Sequence, residues 1–186
     1  MSHDWLRIDK NTLDGRLDFI KSAWDHVKHT PDGKLFLGPP GQQHYHLLAY
    51  ITSMLPEGSR VLEIGTRTGE SAIAMKIGNP SIKLTTCDLE DNFNKFEDID
   101  FRKINGLDLI EEFKDAPFIF IDVDPHDGVQ ERVMIQKLKD VGFKGVLMLD
   151  DIRLNQEMFH FWNEINLPKI DVSPAGHYSG TGIVLF

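Results

Sequence analysis

The chain has 186 residues and a formal net charge of −9, from 20 Lys+Arg against 29 Asp+Glu, with 41% hydrophobic and 26% charged residues. That balance excludes wholesale disorder, and the one cysteine, Cys87, excludes an intrachain disulfide or a cysteine zinc cluster. No apolar run is long enough to cross a bilayer, the N-terminus carries no leader pattern, and an acidic surface repels phosphate backbones; the expectation is one cytoplasmic domain with neither membrane nor nucleic-acid partner.

Along the chain, Leu13, Leu17, Ile20, Trp24 and Val27 recur at helical spacing, and the Pro39-Pro40 pair makes Leu35 to Gly41 a loop. A helix is expected from Gln42 to Leu55. The character changes near Pro56-Glu57-Gly58, which divides a helical segment over 1–58, the expected substrate gate, from an α/β core over 59–186. Beyond it, Arg60–Ile64, Ile82–Cys87, Phe118–Val123 and Val146–Leu149 read as buried strands, and Phe101–Ile104 as a weaker one. Glu70–Ile77, Leu107–Phe113, Val129–Val141 and Asn155–Ile165 read as helices between them, with a stunted crossover from Leu89 to Asp100. Ile170–Ser173, a glycine-containing turn and Gly182–Phe186 predict an antiparallel hairpin. The sum is an α/β, Rossmann-like sheet of seven strands, mostly parallel, with helices on both faces.

The first strand runs into Gly65-Thr66-Arg67-Thr68-Gly69 and then a helix. Parallel sheets bind ligands at the carboxyl ends of their strands, and glycines there admit close approach to the backbone. The turn lacks the Gly-Lys-Ser/Thr ending of a phosphate loop and the third glycine of a dinucleotide fingerprint. Glu63 suits a ligand with positive charge, and Asp88, ending the second strand about twenty residues beyond Gly65, can accept the hydroxyl protons of a ribose. S-adenosylmethionine is the simplest cationic, ribose-bearing ligand; the plainer reading is a tight turn beside a solvated strand end.

Val61–Met75 (VLEIGTRTGESAIAM) resembles motif I of class I methyltransferases, above all the catechol O-methyltransferase-like enzymes, in which a Gly-x-Ser follows the turn as Gly69-Glu70-Ser71 does here. The resemblance implies that Glu63, Gly65 and Gly69 hold the methionine end of the cofactor and Asp88 its ribose, with Thr66, Ser71 and Asp122 also among the cofactor-binding residues. It places Gly106 and Leu107 on the adenine side. In order of elements it extends over about residues 41–186, although motif I and the acidic strand ends are its specific parts.

Asp122, Asp124 and Asp127 follow the fourth strand and Asp150-Asp151 end the fifth, so carboxylates and His126 converge on the same sheet edge. Close carboxylates repel, and a divalent cation such as Mg²⁺, Mn²⁺ or Ca²⁺ relieves that repulsion. The plainer reading has Asp127 and Asp151 capping the helices that follow them. Metal-dependent O-methyltransferases carry Asp at the end of the fourth strand and Asp-Asn or Asp-Asp at the fifth. The resemblance therefore implies Asp122, Asp150 and Asp151 as metal ligands, with Asp122 also a catalytic and cofactor-binding residue. The catechol-type lysine base is replaced by Pro125 here. His126 is the nearest substitute, an imidazole being the side chain suited to proton transfer near neutrality.

Other residues carry weaker signals. His44 and His46, two apart, share no helix face, so they read as partly exposed helix residues rather than ligands. Gln42 and Gln43 are gate candidates by analogy. Trp5, Trp24 and Trp162 read as packing residues, and Cys87 as inert core. The turn His177-Tyr178-Ser179-Gly180 either overhangs the site or is an ordinary turn. The apolar last strand, as an exposed edge, would call for cover such as a homodimer gives. The sequence thus points to a methyltransferase (EC 2.1.1 class) that uses S-adenosylmethionine on a hydroxyl of a small-molecule acceptor, with divalent-metal assistance. Its rivals are a metal-independent methyltransferase, aminopropyl transfer and a noncatalytic S-adenosylmethionine-binding module.

Overall fold

The computed structural model describes residues 3–7, 42–93 and 96–186. The expected first helix with Trp24, the Leu35–Gly41 loop and the side chains of Gln42 and Gln43 lie outside the described residues. Helix α1 (Gln42–Ser53) precedes strand β1 (Arg60–Ile64), α2 (Glu70–Gly78), β2 (Lys83–Asp88) and β3 (Ile99–Lys103). Then come β4 (Phe118–Ile121), α3 (Val129–Asp140), β5 (Val146–Asp150), α4 (Gln156–Glu164), β6 (Lys169–Asp171) and β7 (Thr181–Leu185). The seven strands form one sheet in the order β3-β2-β1-β4-β5-β7-β6, and β7 runs antiparallel to both of its neighbours. None of the described helices is long and apolar enough to cross a membrane.

Strand residues alternate between two buried faces. Val61, Phe118, Phe120, Val146 and Met148 pack with Leu47, Leu48, Ala74 and Met75 from α1 and α2. Leu62, Ile119, Ile121, Leu147 and Leu149 pack with Met134 and Leu138 of α3 and Met158 and Phe161 of α4. Such two-sided burial is why these strands read as continuous apolar runs. Helix α1 is therefore a layer of the core. A Cβ on Gly78 would lie 2.0 Å from the Ala49 carbonyl oxygen, so glycine sets how closely α1 and α2 approach.

Four expectations change. Leu107–Phe113 is a 3₁₀ turn at Gly106–Asp108 followed by further turns, because so short a segment gives too few hydrogen bonds to offset helix nucleation. Burial of Leu109, Ile110 and Phe113 holds it instead. In the 89–100 crossover no helix occurs among the described residues, and Phe93 stacks on Phe101 at 5.1 Å. Ser173 and Pro174 leave the sheet for a 3₁₀ turn, since proline's fixed φ suits a helix start, and β6 ends at Asp171. The last strand is no edge: β5 and β6 flank β7, which removes the sequence argument for a covering partner.

Candidate functional site

Strand order reverses at β1, whose neighbours are β2 and β4, and this is where a parallel sheet opens a crevice. A cavity of about 890 Å³ lies there, lined by residues at or after the ends of β1, β2, β3, β4 and β5 together with α1, α3 and the 172–180 connection. Gly65 (φ +98°) makes the seam: a Cβ on it would lie 1.6 Å from the Asp122 carbonyl oxygen. Gly65→Ala combines that overlap with left-handed strain, so urea unfolding should show a loss of about 3 kcal/mol or more.

Asp88 latches the turn. Its Oδ2 accepts the N–H groups of Thr66 (3.0 Å) and Arg67 (2.8 Å), and its Oδ1 accepts that of Glu90 (3.0 Å). A carboxylate accepts about four hydrogen bonds, so room remains for about one external donor rather than the two expected of a ribose. Glu63 is fully buried beneath the turn, where Thr86 Oγ1 donates to its Oε2 at 2.5 Å and Thr66 Oγ1 lies 2.5 Å from Thr86 Oγ1. Burial pushes the Glu63 carboxyl up to about 8 against the opposing pull of the Ser71 and Thr86 hydroxyls. The folded value lies above the unfolded 4.5, so the resulting stability is full below pH 4.5 and lost as pH rises through about 8. Glu63→Gln should flatten that part of the stability–pH curve of the ligand-free protein. An unchanged slope would place its source elsewhere.

Gly69 caps α2 with φ +98°, packed against Phe93, and Ser71 lies buried in the first turn. Gly106 lines the cavity over Ile64, whereas Leu107 packs against the apolar cluster that includes Leu62 and Leu147 and is not on the cavity wall. Cys87 is buried, and burial raises its thiol to about 12, which agrees with an inert core residue.

At the other end of the cavity, Asp122, Asp150 and Asp151 come together with His44, His126 and His177. Asp124 is 96% exposed in its side chain and touches the group only through His126 Nε2 at 3.3 Å. Asp127 is exposed and accepts the Val129 N–H at 2.8 Å. Fewer carboxylates therefore converge than the sequence suggests. Asp151 does not cap α4, since Asn155 does so by accepting the Met158 N–H at 2.8 Å. Asp151 instead accepts hydrogen bonds from Ser179 Oγ and, at 3.3 Å, from His177 Nδ1, while its Oδ2 faces His126 Nε2 at 3.4 Å.

Burial, then repulsion from Asp150 and Asp151, raises Asp122 well above the usual carboxylate range. Burial and Asp151 raise Asp150 to about 7. Burial pushes Asp151 up as well, but hydrogen bonds from His177 and Ser179 outweigh it and hold that carboxyl low. His177 is raised, because Asp151 and Asp150 outweigh its partial burial. His44 falls to about 3 through burial and the neighbouring His177. Among the described residues, the combinations spaced to share one cation are Asp122–His126–Asp151 and Asp150–Asp151–His177. Each puts a histidine where the sequence reading has a third aspartate.

His44 and His177 line the cavity, although the sequence reads the first as a partly exposed helix residue and the second only as part of a turn that either overhangs the site or is ordinary. His44 is buried rather than partly exposed, yet it stands at helical spacing with Leu47, Leu48 and Ile51, the buried face of α1. His177 lies in an irregular connection, where no period assigns a direction. Arg67, His126 and Asp151 line the cavity with positive φ, and residues held in that sparsely populated region tend to gather where function requires it.

No protein-family model matches the sequence. A curated protein, the ribosomal RNA small subunit methyltransferase G of Pseudarthrobacter chlorophenolicus, is 31% identical over 85 residues, which is 43% of this chain and 39% of that protein. A solved SAH-bound methyltransferase of Podospora anserina is 14% identical with a TM-score of 0.58, each chain covered to 97%. The O-methyltransferase of Bacillus cereus in complex with SAH is 18% identical with a TM-score of 0.52, over 98% of this chain and 94% of that one. The O-methyltransferase TomG of Streptomyces achromogenes, in complex with SAM and involved in tomaymycin synthesis, is 18% identical with a TM-score of 0.55, over 97% and 91%. The chain thus has the Rossmann-like fold of class I methyltransferases and resembles the O-methyltransferases among them.

Proposed function

We propose that the chain is an S-adenosylmethionine-dependent methyltransferase that methylates a hydroxyl of a small molecule with the assistance of a divalent cation. The observation that carries this is the joining, within one cavity, of an acid-latched glycine turn to a carboxylate–histidine cluster. When bound, the cofactor supplies a methyl group on a sulfonium, and the cation lowers the cost of ionising an acceptor hydroxyl. Glu63, Gly65, Thr66, Gly69 and Ser71 hold the amino-acid end of the cofactor, Asp88 contacts the ribose and Gly106 borders the adenine. Asp122, Asp150 and Asp151 supply the anionic ligands. The two carboxylate–histidine combinations drawn from these aspartates, with the repulsion that raises Asp122, fit a cation. His126 takes the proton of the acceptor hydroxyl as the O–C bond forms and the C–S bond breaks.

The rRNA methyltransferase likeness raises RNA as an acceptor, but a chain of net charge −9 with acids around its cavity repels a phosphate backbone. A small acceptor fits the charge. The test is methyl transfer from S-adenosylmethionine to a panel of hydroxylated small molecules, with product mass and a chelator arm. A gain of one methylene unit that a chelator abolishes supports the proposal. Undiminished turnover with chelator supports the metal-independent reading, in which His126 and His177 alone balance the carboxylates. S-adenosylhomocysteine binding without any turnover would make the chain a noncatalytic binding module.

A further inference from the structure

We propose that Glu90 is a second ribose acceptor of the cofactor site, taking one of the two vicinal hydroxyls while Asp88 takes the other. The assignment rests on the S-adenosylmethionine reading above and deepens it, by naming a residue that selects ribose over deoxyribose.

The need for a second acceptor comes from the turn itself. Asp88 Oδ2 already accepts two main-chain N–H groups, from Thr66 at 3.0 Å and Arg67 at 2.8 Å. Its Oδ1 accepts a third, from Glu90 at 3.0 Å. Each carboxylate oxygen takes about two donors, so Oδ2 is filled and Oδ1 keeps one position. A ribose brings two hydroxyl protons side by side, and a donor that gives up water without finding another acceptor costs affinity. The carboxylate that latches the turn therefore satisfies one of the pair and leaves the other to a neighbour.

Three residues that line the cavity follow Asp88 directly: Leu89, Glu90 and Asn92. Leu89 is 66% exposed and offers only apolar surface. Glu90 begins beside the open position, because its own N–H is the group on Asp88 Oδ1. Its side chain is exposed and carries an acceptor in reserve, since Asn92 Nδ2 donates to Oε2 at 2.8 Å and leaves Oε1 to a ligand. Asn92 thus positions the carboxylate. Its own amide oxygen is the weaker candidate, because a charged acceptor binds a hydroxyl more strongly than a neutral one does. Across the cavity, the Asn105 side-chain oxygen is already engaged by the Leu107 N–H at 3.0 Å.

The test is titration calorimetry of the full chain with S-adenosylhomocysteine and with its 2′-deoxy and 3′-deoxy forms. Wild-type protein should bind each deoxy form about tenfold or more weakly, the loss expected when a polar site is left without its hydroxyl. Glu90→Ala keeps the main-chain N–H on Asp88 and should cancel one of those two penalties to within twofold, while the other stays. Glu90→Gln, which retains a neutral acceptor, should restore part of the cancelled penalty. Both penalties persisting in Glu90→Ala would overturn the assignment and leave the methyltransferase reading intact, as would both vanishing together or a wild type indifferent to either hydroxyl. Wild-type protein that does not bind S-adenosylhomocysteine at all would overturn the reading beneath it, and the assignment with it.

Discussion

His126→Asn should lower turnover about 10²–10⁴-fold while leaving affinity for S-adenosylhomocysteine nearly unchanged, the range expected for loss of a positioned general base. The choice of asparagine follows from the backbone. His126 has φ +56°, and asparagine tolerates that region better than alanine, so the base is removed with little added strain. Asn155 Nδ2 donates to the His126 carbonyl at 2.8 Å, and this main-chain anchor survives the substitution. Steady-state kinetics with one accepted substrate would check it. A variant within a few-fold of wild type would remove His126 from the base role.

Asp151→Ala should have a larger effect, on stability as well as activity. Its carboxylate holds Ser179 and His177 and faces His126, so truncation removes a partner from each of three polar groups in a half-closed cavity. Removing one partner of a buried charged pair costs about 3–5 kcal/mol, and turnover should fall below detection because cation and base both lose their anchor. The pH dependence has a definite sign. Asp151 is held below its unfolded 3.8, so its contribution is present above that value and lost as pH falls through the folded one. His177 is raised above 6.5, so its contribution is present below 6.5 and lost as pH rises through its folded value. The pair therefore stabilises the fold most fully between 3.8 and 6.5, and the difference between wild type and Asp151→Ala should be greatest inside that window. Denaturant unfolding at a series of pH values would check it, and a pH-independent difference would contradict the ion-pair account.

Much of this arrangement is legible in the strand parity. Glu63 follows Val61 by two residues, Asp122 follows Phe118 and Phe120, and Asp150 follows Val146 and Met148, and those apolar residues all pack toward α1 and α2. A period of two carries the three acids to that face, where the parallel register sets Asp122 beside Asp150 and Glu63 level with Phe120, two residues earlier. The glycine turn is legible for a similar reason, because Gly65 and Gly69 mark a sharp strand-to-helix reversal that few other residues can make. What sequence does not show is whatever comes from irregular chain. The connection before β7 has no period, so nothing local says that His177 returns to Asp151. His44 is legible only when α1 is read by its apolar stripe rather than by its spacing from His46. The Leu107–Phe113 segment misleads because its apolar spacing comes from core packing and not from a helix. Leu107 is placed on the cofactor side by analogy alone, and its side chain faces the core.

The central claim is that the Gly65–Gly69 turn and Asp88 make a nucleoside site whose far end meets the carboxylate–histidine cluster. A crystal structure of the chain with S-adenosylhomocysteine tests it most directly. The account predicts the ribose on Asp88, the amino-acid end over Gly65 above Glu63, and the sulfur directed toward Asp122 and His126. Density for the nucleoside elsewhere on the chain, or a sulfur turned away from that cluster, would contradict it.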